Sequence, residues 1–114
     1  MREPKKFGAF VRRERENMMI GLREMANMIG VSSTYLSKVE RDEYPPPAED
    51  KVKAIAKIIK CDEDDLLARA DRVSSDITDI IKRNPVELSA LLRVIKDFTI
   101  NDISQLTREA KRMK

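Results

Sequence analysis

Along most of the chain the apolar residues recur at i, i+3, i+4 and i+7, and no run of alternating β-branched residues competes with them, so the pattern predicts an all-α protein. Phe7, Phe10, Val11 and Met18 fall on one face of a first helix, expected from about residue 5 to 18. Leu22, Met25, Ala26 and Ile29 repeat the spacing in a short second helix, and Gly30 stands where a left-handed C′ residue would end it. A third helix follows almost at once. Ser32 can cap it, Val31 can staple to Leu36, and Leu36 and Val39 point inward. That leaves Ser33, Thr34, Ser37, Lys38 and Arg41 on a small, polar and basic outer face.

Pro45-Pro46-Pro47 stops this helix, and its last member can open a fourth at Ala48. Val52, Ile55, Ala56 and Ile59 supply the fourth stripe, with Lys51, Lys53, Lys57 and Lys60 mostly off it on a solvated face. Asp62 caps a fifth helix whose first turn holds Glu63, Asp64 and Asp65, where negative charge suits the helix dipole. Leu66, Leu67 and Ala70 bury that helix, and the unit closes near Arg72. The reading is therefore a five-helix domain over 1–72 and a helical extension over 73–114. In the extension the spacing resets into three pieces, Asp76 to Arg83, Pro85 to Asp97, and Asn101 onward. Asn84-Pro85-Val86-Glu87 is a strong helix start, and Leu88, Leu91, Leu92, Ile95 and Phe98 form a stripe too apolar for a lone helix in water.

Composition narrows the chemistry. Lys and Arg number 23 against 20 Asp and Glu in 114 residues, a mixed surface of net charge +3 rather than a polycationic tail. Histidine is absent and Cys61 stands alone, which removes Cys/His zinc sites, disulfides and Ser-His-Asp triads. Three glycines occur, none in a phosphate-cradling arrangement, so neither a nucleotide cofactor nor an enzyme is expected. No stretch is long and apolar enough for a membrane span, and Met1 to Lys6 lead into no apolar signal core, so a cytoplasmic protein is expected. Met18, Met25 and Met28 read as core filling, Cys61 as inert, and Asp62 to Asp65 as a cap rather than a metal cluster.

Two short helices joined by a tight Gly-containing turn, the second with an exposed Ser/Thr/Lys face, carry the pattern of a helix-turn-helix. The major groove of B-DNA, about 12 Å wide, admits one such helix, whose first residues reach base edges. Residues 1–41 hold nine Lys and Arg against five Asp and Glu, while 42–50 hold four acids and no base, so the basic patch is polarised toward these helices.

Phe7-Gly8-x-x-Val11-Arg12-x-x-Arg15, Ile20-Gly21-Leu22-Arg23-Glu24-Met25-Ala26, Gly30-Val31-Ser32 and Tyr35-Leu36-Ser37-Lys38-Val39-Glu40-Arg41 together resemble the lambda-repressor-like (Cro/C1, XRE-type) helix-turn-helix family over residues 6 to 70. The resemblance implies a five-helix DNA-binding domain, working as a dimer on an inverted repeat of double-stranded DNA and repressing transcription. It places Ser33, Thr34 and Lys38 at base-reading positions with Ser37 beside them. It places Ser32, Tyr35 and the start of helix two at backbone-positioning ones, and makes Arg15 and Glu40 a structural ion pair. Three positions depart from the family pattern: Gly21 stands for Ser or Thr, Leu22 for Gln, and Asp42 for Gly. Arg23 is the candidate substitute for the helix-two contact, and Arg12, Arg13, Arg41 and Lys51 are candidate phosphate contacts that offset the acidic Asp42-Glu43-Tyr44 loop.

The apolar C-terminal stripe, extended by Ile103 and Leu106, has two possible coverings. It could fold back on the first domain, or form an isologous homodimer interface of Leu88, Leu91, Leu92, Ile95, Phe98, Ile103 and Leu106. The dimer is preferred, because one short reading helix recognises little sequence and two-fold symmetry matches paired half-sites. The alternative function is an antitoxin or adaptor whose C-terminal helices hold a partner protein, with DNA binding serving autoregulation.

Overall fold

Each apolar stripe of the first five helices turns toward a common interior. In the computed structural model, which describes residues 6–114, these helices are α1 (Phe7–Asn17), α2 (Leu22–Ile29), α3 (Ser33–Glu40), α4 (Glu49–Ile58) and α5 (Glu63–Arg69). Phe7, Phe10 and Val11 of α1 meet Met25, Ala26 and Ile29 of α2, Leu36 and Val39 of α3, Val52, Ile55 and Ala56 of α4, and Leu66 and Leu67 of α5. Burying one such side chain stabilises the fold by about 1.5–3 kcal/mol. No strand occurs among the described residues, so the protein is all-α.

One helix end, one helix start and one core position differ from the sequence reading. Position 5 lies outside the described residues, and α1 ends at Asn17 with Met18 as its C-cap. Pro47 does not open α4: Ala48 is its N-cap in extended conformation, φ −60° and ψ 161°. The Arg72 guanidinium donates to the carbonyl oxygens of Pro46 and Pro47, which holds the prolines outside the helix. Met25 is buried and Met18 packs at the core edge, but Met28 is 57% exposed, because α2 turns only one face inward.

The chain divides into two compact units between Ser74 and Ser75. The second contains α6 (Ser75–Arg83), α7 (Pro85–Ile95) and α8 (Ile100–Arg112). Helix α8 begins one residue earlier than its spacing indicates, because Thr99 and Asp102 cap it reciprocally: each backbone N–H donates to the other's side-chain oxygen at 3.1 Å. None of the three helices buries a residue among those described. No helix of the described residues is long and apolar enough to cross a membrane.

Candidate nucleic-acid interface

Helix α3 is built to hold its orientation. Ser32, in extended conformation, accepts the Tyr35 N–H on its hydroxyl at 3.1 Å and caps α3, while Leu36 and Val39 anchor the opposite face. Gly30 ends α2 at φ 74° and ψ 36°, in the left-handed region, so the chain can turn into α3. Lys51 of α4 then donates to the Ile29 carbonyl at 2.8 Å, placing a cation at the negative end of α2. That bond gives the half-buried Lys51 a place in the fold and takes it off the fully solvated face.

Arg15 joins the parts. Its Nε and one terminal nitrogen donate to the two Glu40 oxygens at 2.8 and 2.9 Å, and its other terminal nitrogen donates to the Ile20 carbonyl at 2.8 Å. Both side chains are buried, and the hydrogen bond to Glu40 holds the guanidinium pKa above its ordinary value against the opposing effect of burial. One residue of α1 thus fixes the α1–α2 turn and the last turn of α3. Removing either partner would leave the other buried and charged, a loss of about 3–5 kcal/mol.

Asp42 fastens the other end. It adopts φ 59°, an uncommon conformation for a residue with a side chain, and its carboxylate accepts the Gly8 N–H at 2.9 Å. Helix α1 has no side-chain cap from Lys6, so Asp42, thirty-four positions away, satisfies one of its unpaired first-turn donors. The residue that departs from the family's glycine is therefore a cap.

On the outer side Thr34 and Arg41 are exposed, and Ser33, Ser37 and Lys38 are half-buried. Leu22, Arg23, Ser33, Thr34, Ser37 and Arg41 line one shallow groove between α2 and α3. Arg12, Arg15, Leu22, Ser37, Glu40 and Arg41 line a second. The structure thus brings Arg12, Arg23, Ser33, Thr34, Ser37 and Arg41 along one surface, with Ser32 at its edge as the cap of α3. Gly21 gives α2 no side-chain cap, and Leu22 packs against the core edge. Arg12 pairs with Glu16 at 3.5 Å and Arg41 with Glu43 at 2.6 Å, both on the surface. Arg13 lies over the Phe10 ring at 5.5 Å, with its Nε bridging to Glu14 at 3.1 Å. Tyr35, half-buried, is 6.0 Å from Tyr44 between ring centroids, and the Lys38 ammonium sits 5.1 Å from the Tyr44 ring. Sequence reasoning took Tyr44 only as part of an acidic loop. Nothing in its spacing could reveal the contact, which depends on the turn after α3.

Among the described residues no cluster of His, Cys, Asp or Glu is placed to hold a metal. Cys61 is half-buried, and burial, aided by the Asp65 carboxylate, pushes its thiol pKa up.

A capped helix whose polar and cationic side faces outward, braced on a second short helix, defines a helix-turn-helix protein. Residues 11–66 match the helix-turn-helix family. An uncharacterised helix-turn-helix-type transcriptional regulator of Mycobacterium tuberculosis, from two strains, is 28% identical over 102 residues, spanning 90% of this chain and 72% of that protein. The solution structure of the DNA-binding domain of the P22 c2 repressor is 30% identical with a TM-score of 0.50, covering 59% of this chain and 86% of that one. The structure of the SinR–SinI complex shares the fold at a TM-score of 0.51 and 16% identity, over 94% of this chain and 96% of that one. The chain belongs to the lambda-repressor-like (Cro/C1) helix-turn-helix family, a family of DNA-binding regulators and not of enzymes.

Proposed function

We propose that the protein is a homodimeric, sequence-specific transcriptional repressor of the cytoplasm, without catalytic activity, that inserts α3 into the major groove of each half of an inverted repeat. The observation that carries this reading is the outward side of α3, where Ser33, Thr34 and Ser37 share a groove with Arg23 and Arg41. Ser33, Thr34 and Lys38 read base edges. Ser32, Tyr35, Arg12, Arg23 and Arg41 position the backbone, and bound phosphates displace Glu16 and Glu43 from their arginines. Leu88, Leu91, Leu92, Ile95, Phe98, Ile103 and Leu106 form the dimer contact. Repression follows from occupancy, because a promoter overlapped by the bound dimer is closed to polymerase.

Selection of bound sites from random duplex DNA tests this directly. A dimer neutralising about 6–10 phosphates loses about 10³–10⁵-fold in affinity between 50 and 200 mM salt. Lys38→Ala is expected to cost about 1–3 kcal/mol and to relax preference at one base pair per half-site. A protein that enriches no sequence and shows no salt dependence contradicts the proposal. The exposed apolar side chains of α7 and α8 also favour a second reading, an antitoxin or adaptor holding a partner protein there. Stoichiometric co-purification of a second chain that competes with self-association distinguishes it.

A further inference from the structure

The long side chain of Lys38 is held on its way out of α3. After Arg41 the left-handed Asp42 turns the chain back, and the N–H groups of Glu43 and Tyr44 both donate to the Lys38 carbonyl, at 2.9 and 3.3 Å. Tyr44 is therefore bonded to Lys38 through its backbone and returns over it with its side chain. The Lys38 ammonium lies 5.1 Å from the centre of the Tyr44 ring and 3.5 Å from its hydroxyl oxygen. An ammonium within about 6 Å of an aromatic face is attracted by the negative centre of the ring. The ring is itself supported, tilted at 46° against Tyr35, which packs at the edge of the core.

A free lysine must immobilise a flexible four-carbon stem each time it grips a base, and a stem already directed loses less freedom on binding. We infer that Tyr44 is a positioning residue that directs Lys38 toward its base pair and so sharpens sequence preference. The inference rests on the reading of Lys38 as a base contact. It assigns Tyr44 an effect on one base pair rather than on the whole duplex.

The test compares Tyr44→Phe, Tyr44→Leu and Tyr44→Ala in the full chain, each with and without Lys38→Ala, on the selected site and on single-base variants of it. Tyr44→Phe keeps the aromatic face and is expected to stay within about twofold of the parent. Tyr44→Leu keeps bulk without that face and, like Tyr44→Ala, is expected to lose about fivefold, the scale of ordering one rotamer-rich side chain on binding. The loss should fall on the base pair that Lys38→Ala relaxes and vanish in the Lys38→Ala background. In the free protein, ring-current shifts of the Lys38 side-chain methylenes should persist in Tyr44→Phe and disappear in Tyr44→Leu. Equal losses with and without Lys38, or on every duplex alike, overturn the inference while leaving the regulator reading intact. A parent protein that selects no duplex overturns both.

Discussion

A Cβ at position 8 would stand 2.1 Å from the Val39 carbonyl oxygen and 2.9 Å from that of Glu40. Helix α1 and the end of α3 can approach so closely only because Gly8 has no side chain, and the same approach lets its N–H reach Asp42. Both carbonyl oxygens are backbone and cannot swing aside, and the Asp42 carboxylate oxygen that accepts the Gly8 N–H would stand 2.7 Å from the same Cβ. Gly8→Ala is expected to lose about 3 kcal/mol, the upper end of the usual overpacking range, read as a lower urea midpoint with an unchanged slope. Ala at an open helical position would instead stabilise the chain. An unchanged or higher midpoint would show that α1 can move away from α3 at little cost. The glycine stood in the sequence pattern, but its need was not legible there, since the crowding comes from residues more than thirty positions away.

At the scale of the element, Lys51 separates fold from recognition. Its ammonium caps α2 through the Ile29 carbonyl, so Lys51→Ala is expected to lose about 1 kcal/mol of stability. The dependence of DNA affinity on salt should keep its slope, because no phosphate contact is removed. A slope shallower by about one would return Lys51 to the interface. The helices themselves were legible because each carries an apolar stripe with a period near 3.6 and a recognisable start or stop: Ser32 and Asp62 cap α3 and α5, and Gly30 ends α2. What spacing could not show were fastenings between elements. Lys51 looked like one of four surface lysines, Asp42 like a poor replacement for glycine, and Tyr44 like loop. Each gains its role from a neighbour that only the folded chain supplies. The proline run shows a converse error, where a favourable helix-start residue was set aside because Arg72 engages the prolines' carbonyl oxygens.

For the whole molecule the decisive feature is the second unit. Leu91, Leu92, Phe98 and Ile103 remain 43%, 46%, 40% and 43% exposed, while Leu88, Ile95 and Leu106 are half-buried. A unit of this size without a buried side chain of its own gains little from the hydrophobic effect in isolation. Pairing with a second copy would supply that cover. Leu92→Asp is expected to shift the sedimentation coefficient to that of a monomer and to weaken binding to a two-half-site operator by at least about tenfold, while far-UV helicity of the first unit persists. A variant that still sediments as a dimer would move the contact elsewhere.

The division of labour within α3 bears on how such a protein acquires a new address on a chromosome. Glu40 and, just beyond it, Asp42 are tied to Arg15 and Gly8 on the inner side, whereas Ser33, Thr34 and Ser37 look outward along the groove. Outward positions can be exchanged without loosening those ties, so under the proposed reading of α3 a lineage, or an engineer, would retarget the protein by small swaps at its rim while inheriting the chassis unchanged.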